Sequence, residues 1–225
     1  MEHAWMIPLW LSLKVAGWAT ALNVMFGVAI GYALSRWRSP ARDVVDSLLT
    51  LPLVMPPTVL GYYLLVLLGR RGVIGRWLDS IGIQLVFTWQ GAVIASMIVA
   101  FPLVLKSARA AFESVDPQLE RAARTLGISE AAIFFRVTLP LATRGLLAGT
   151  LLAFARALGE FGATLMVAGN LPGRTQTLSV AIYAAVQAGD DSTANFLVLV
   201  TSVVCVVVLL LAGRLVPQPS VATAR

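Results

Sequence analysis

Residues 120–140 read ERAARTLGISEAAIFFRVTLP, two acids and three arginines in a helix-forming block with a long apolar run on either side. Just ahead of it, Asp116-Pro117 has the form of a helix start, with Asp as the cap and Pro at the first helical position. Leu119, Ala122, Ala123 and Leu126 then fall at i, i+3, i+4 and i+7, a small-and-apolar stripe that leaves Glu120, Arg121 and Arg124 to one side. Gly127 stands where a left-handed residue ends the helix. Ser129 caps a second short helix with Glu130 at its positive end, and Leu139-Pro140 is expected to stop it. A hairpin lying on a membrane surface is one reading. Alanines bury little area in lipid, however, and small residues suit close approach to another protein.

The flanking runs belong to a chain of 225 residues that is 58% hydrophobic and 12% charged, with mean hydropathy +0.83. A soluble domain carries about twice that charged fraction, so the bilayer is the expected solvent. The net charge of +6 does not indicate nucleic acid, because the cations sit in short clusters between apolar runs. One cysteine (Cys205) and one histidine (His3) leave no disulfide framework and no metal site, and no cofactor is expected. The opening MEHAWMIPLW lacks a cationic stretch and a small-residue cleavage site, so the first apolar segment is expected to remain as a span.

Five segments are long enough for a core of about 30 Å: 10–35, 46–68, 84–108, 141–168 and 194–214. They make one all-α polytopic membrane domain over 10–214, with the charged loop at 113–140 between spans three and four. Placing that loop inside puts eleven Lys and Arg on the inner side. Lys14, Arg70, Arg71, Arg76 and Arg174 fall outside, and Arg156 lies within a span. The positive-inside tendency therefore predicts an external N-terminus and a cytoplasmic C-terminus. No internal repeat is evident, which weighs against a stand-alone secondary transporter.

Glu120, Ala122-Ala123, Gly127 and the closing Leu139-Pro140 resemble the "EAA" loop of ATP-binding cassette (ABC) importer permeases. Arg121 departs from it, standing where alanine often follows the glutamate. ARALGEFGAT (155–164) looks like the matching segment of molybdate, tungstate and sulfate permeases. LPLVMPPTVLGYYLLVLLGRRGVIG (51–75) resembles the molybdate branch, and the likeness runs from Leu11 to about Leu211. The resemblance implies that Glu120, Ala122, Ala123, Gly127, Leu139 and Pro140 couple the chain to an ATPase. It also implies two copies of this chain in a bacterial inner membrane, two cytoplasmic ATPase subunits and an external oxyanion-binding protein. The absence of G-x-x-x-x-G-K-[ST] agrees: energy must come from a partner.

Within the spans, Arg156 and Glu160 are four residues apart, close enough to pair on one helix face. They serve either as an ion pair fixing helix packing or as the lining of a path for a dianion. Gly159 and Gly162 would admit a neighbouring backbone under either reading. Pro52, Pro56 and Pro57 interrupt span two. The result is either a kinked packing helix or a break lining the path, with Thr58 and Gly61 beside it. Arg70, Arg71 and Arg76 either contact lipid headgroups or form a basic rim that docks the binding protein. Sulfate and tungstate are the alternative substrates. A membrane-embedded enzyme is the alternative class, and it would rest on Glu160 alone as an acid within the spans, so no catalytic residue is expected.

Overall fold

The computed structural model describes residues 5–215; His3 lies outside them. Among the described residues all regular structure is helical, as expected. In chain order the elements are α1 (Met6–Arg36), α2 (Ala41–Val54), α3 (Pro57–Leu68), α4 (Val73–Ser80), α5 (Trp89–Glu113), α6 (Pro117–Thr125), α7 (Glu130–Ile133), α8 (Leu139–Leu158), α9 (Gly162–Ala168), α10 (Leu178–Gln187) and α11 (Asp191–Leu215). A π-helical turn, Phe134–Thr138, joins α7 to α8.

Helices in lipid gain little from apolar burial against one another, so tight packing depends on small residues. A Cβ on Gly27 would lie 2.9 Å from Val104 Cγ1, and one on Gly31 would lie 2.8 Å from Ala108 Cβ. Both numbers rise together, so α1 and α5 run parallel. α8 packs on α5 in the opposite sense, with Gly145 against Ala111 and Gly149 against Ser107. Val15, Ala16, Ala19, Ala100, Val104, Ala153 and Ala157 fill the buried centre of this three-helix unit. α11 starts beside the start of α1, where the Trp5 and Phe196 rings meet edge to face at 6.1 Å. α10, which had no counterpart among the expected spans, is too short to cross. It docks on α1, its Leu178 N–H donating to Ser12 Oγ at 2.8 Å.

Two expected spans are corrected. Residues 46–68 are not one helix: α2 and α3 meet at 110° across Met55-Pro56. Neither Pro56 nor Pro57 has an N–H to donate, so the ladder cannot continue through them. Pro52, by contrast, sits inside α2. Asp46 on α2 pairs with Lys106 and with Arg109 (3.0 Å) toward the C-terminal end of α5. At the other end Leu68 and Gly69 share a recess with Leu85 and Val86, just ahead of α5. The pair therefore follows α5 from its C-terminal end to its start.

Residues 141–168 also divide. α8 ends at Leu158, Gly159–Phe161 is non-helical, and α9 follows. The start of this span moves the other way, because α7, the π turn and α8 form one apolar stretch of 29 residues from Glu130 to Leu158. Leu139-Pro140 thus does not stop the second hairpin helix. Pro140 cannot donate, and the ladder widens ahead of it, with Leu139 N–H reaching Phe134 O. The remaining expected spans, 10–35, 84–108 and 194–214, correspond to α1, α5 and α11, with α5 beginning only at Trp89. Among the described residues four helices are long and apolar enough to cross a membrane, and the bent pair α2–α3 brings the number to five when it is counted as one span.

Candidate functional site

The charged loop sits at the end of the bundle where α1 and α5 finish. Its local signals form as read: Asp116 accepts from Gln118 N–H at 2.8 Å, Ser129 Oγ accepts from Ala132 N–H at 3.4 Å, and Gly127 has φ 77°. Arg124 reaches across that turn to both oxygens of Glu130, at 2.5 and 3.0 Å.

The α6 stripe is corrected. Ala123 packs inward, but Leu119 and Leu126 are 48% and 78% exposed, and Ala122 is exposed as well. The buried residue beside Ala123 is Glu120, at 2%. Its carboxylate pairs with Arg36 at the end of α1 and accepts from Thr138 Oγ1 at 2.7 Å, while Arg124 stands 4.0 Å away. Burial alone would raise the Glu120 pKa. The Arg36 guanidinium, the Thr138 hydroxyl and the charge of Arg124 outweigh burial and hold it below its ordinary value. Glu120 therefore fastens α6 to α1 and to the π turn. The outward face consists of Leu119, Ala122, Leu126 and Arg121, while Leu139 is half-buried and Pro140 exposed at the start of α8. Arg36 and Thr138 escaped the sequence reading, since 84 and 18 residues separate them from Glu120.

Deeper in the bundle the two helix breaks meet. A Cβ on Gly162 would lie 3.2 Å from Pro57 Cβ and 3.3 Å from Thr58 N; one on Gly61 would lie 2.8 Å from Ala163 Cα. α3 and α9 thus start side by side and run parallel, with Pro56, Pro57 and Thr58 next to Glu160. Arg156 Nη1 is 2.8 Å from Glu160 Oε2, and Glu160 Oε1 accepts from Ala163 N–H at 2.8 Å. The pair stands at the end of α8, with Glu160 buried and Arg156 half-buried. Ser96 and Thr164, both buried, face each other at 3.5 Å one turn further along. Gly159 does not admit a backbone: its nearest neighbour for a Cβ is its own turn, Ala155 O at 3.7 Å. Proline fixes one break and a buried carboxylate caps the other, and the Arg156–Glu160 ion pair lies where they meet.

At the opposite end, Arg70, Arg71 and Arg76 are exposed on the turn after α3 and on α4. Arg70 approaches Asp79 at only 3.9 Å. Among the described residues, no group of three or more His, Cys, Asp or Glu could hold a metal ion.

The chain belongs to the family of binding-protein-dependent transport system inner membrane components, matched over residues 23–220. It is 46% identical over 203 residues to the molybdenum transport system permease protein ModB of Escherichia coli, covering 89% of each chain. The putative molybdenum transport system permease protein YvgM of Bacillus subtilis is 43% identical, with 90% of this chain and 87% of that protein covered. A sulfate transport system permease protein, CysW of Synechocystis, is 41% identical over 76% of this chain and 62% of its own length. Among solved structures, the fold is similar to a bacterial alginate ABC importer (TM-score 0.78, 16% identity, 96% of this chain and 79% of that one). It is also similar to the MetNI methionine ABC transporter (TM-score 0.72, 16% identity, 93% of each chain).

Proposed function

We propose that this chain is the membrane subunit of an ABC importer that carries molybdate inward. In this reading two copies form the path and two cytoplasmic ATPase subunits supply energy. An external binding protein delivers the oxyanion, with the N-terminus outside and the C-terminus in the cytoplasm. The observation that carries it is the 46% identity to a molybdenum permease over 89% of the chain, which takes in both helix breaks and the charged loop. The parallel course of α1, α5 and α11 agrees with termini on opposite sides.

Within this reading the outward face of α6, with Gly127 setting the turn, docks on the ATPase, and Glu120 positions that face. Pro56, Pro57, Thr58, Gly61, Arg156, Gly159 and Glu160 border the path. There the guanidinium attracts a dianion and the carboxylate keeps its residence short, as passage requires. Sulfate is the second reading, favoured by the sulfate relative. Vesicles containing the whole complex should take up labelled molybdate with ATP, and tenfold excess sulfate should leave uptake nearly unchanged. Equal competition by sulfate would assign the chain to the broader oxyanion class, and no ATP-dependent uptake of either would end the reading.

A further inference from the structure

Trp10, Lys14 and Trp18 are spaced by four along α1 and so share one face. Trp10 is 69% exposed and Trp18 55%, whereas Lys14 is half-buried with its Nζ 3.7 Å from the centre of the Trp89 ring. Lys14 stands eight residues into the helix, about 12 Å along it from the start. A cation at that depth needs an anion or the headgroup zone to be tolerated. No carboxylate pairs with Lys14 or Arg174 among the described residues. Both line a recess of about 460 Å³, together with Trp10, Thr88, Trp89 and Gln90.

Beside it the surface of α1 forms a shallow, open depression past Leu13, Gly17, Trp18 and Ala21, which shares Trp10 and Lys14 with the recess. At Gly17 a Cβ would meet nothing within 4 Å. The recess is cationic and polar, and the depression beside it on α1 is apolar and open.

We propose that the recess and the depression together bind one anionic phospholipid. Its phosphodiester lies between Lys14 and Arg174, its glycerol end by Thr88 and Gln90, and one acyl chain in the depression at Gly17. A small free oxyanion would satisfy the two cations but would leave the apolar depression unused. Indole rings at Trp10 and Trp89 suit the headgroup level, and two unpaired cations in one recess attract a phosphodiester. The site is independent of which ion the protein carries.

The test places the full-length protein in nanodiscs of phosphatidylglycerol and phosphatidylethanolamine and counts retained lipid by native mass spectrometry. The unmodified chain should retain phosphatidylglycerol in preference to phosphatidylethanolamine. Each lost cation should lower that retention about fivefold, so K14Q/R174Q should fall by about twenty-fivefold. G17L fills the depression without touching a charge and should lower it severalfold; if K14Q/R174Q fails to fold, G17L decides alone. Equal retention of both lipids, or unchanged retention in the variants, overturns the proposal. Displacement of the lipid by millimolar phosphate or molybdate also overturns it, in favour of a small-anion site.

Discussion

Glu120 is the point at which the charged loop is tied to α1 and the π turn, and its removal has a calculable effect. In E120Q the shape is kept and Thr138 can still donate, but the charged partner of Arg36 is gone. Hydrogen bonds to charged groups contribute about 1.5–3 kcal/mol. The Arg36 side chain is 40% exposed, so the lower end applies, about 1.5 kcal/mol after solvent screening. That is roughly tenfold in the equilibrium between docked and released α6. E120A also strands the Thr138 hydroxyl, which is 1% exposed, and the unpaired buried group adds about 1–2 kcal/mol. Hydrogen–deuterium exchange of residues 118–125 in the assembled complex should therefore quicken about tenfold in E120Q and further in E120A, with α5 unaffected. Molybdate uptake should fall while the ATPase still co-purifies. Because the Glu120 pKa is depressed, its contribution is fully present above the ordinary carboxylate pKa and is lost only as pH falls through the lowered value. Protection corrected for intrinsic exchange should thus stay level from pH 8 to 5 and fade below. Exchange within twofold of the unmodified chain in both variants would show that α6 is held by something else.

The remaining predictions concern the helix breaks, the topology and the cationic rim. G61A should reduce uptake by tenfold or more without loss of assembly, since its Cβ would sit 2.7 Å from Met166 Cβ. G159A meets only ordinary contact and should reduce uptake far less than G61A; equal effects of the two would discount the meeting of α3 and α9. Cysteine at Gly173 should react with an impermeant reagent in intact cells and cysteine at Ser129 should not. Cysteine at Thr175 should react poorly on either side because that position is 1% exposed, and labelling at Ser129 from outside would invert the orientation. R70Q/R71Q/R76Q should weaken stimulation of the ATPase by the loaded binding protein, most at low salt, with basal activity unchanged. Salt-independent, undiminished stimulation would leave those arginines to the lipid headgroups.

What could be read from the chain alone depended on neighbours within about four residues. Apolar runs long enough to cross, the Asp116 and Ser129 caps, the positive φ at Gly127 and the Arg156–Glu160 spacing are all local, and helical geometry turns each into a position in space. Pro56-Pro57 announced a break for the same reason, since a missing N–H acts on its own turn. Its 110° angle was not legible, nor was the meeting with the break before α9, because both depend on how Gly61 and Gly162 let two distant helices approach. Glu120 shows the divide most plainly. A helical wheel assigns it to the polar face, and a glutamate on a charged hairpin is expected in water. Only the folded bundle brings Arg36 and Thr138 to it, and a carboxylate goes inward wherever tertiary partners outweigh the loss of its hydration.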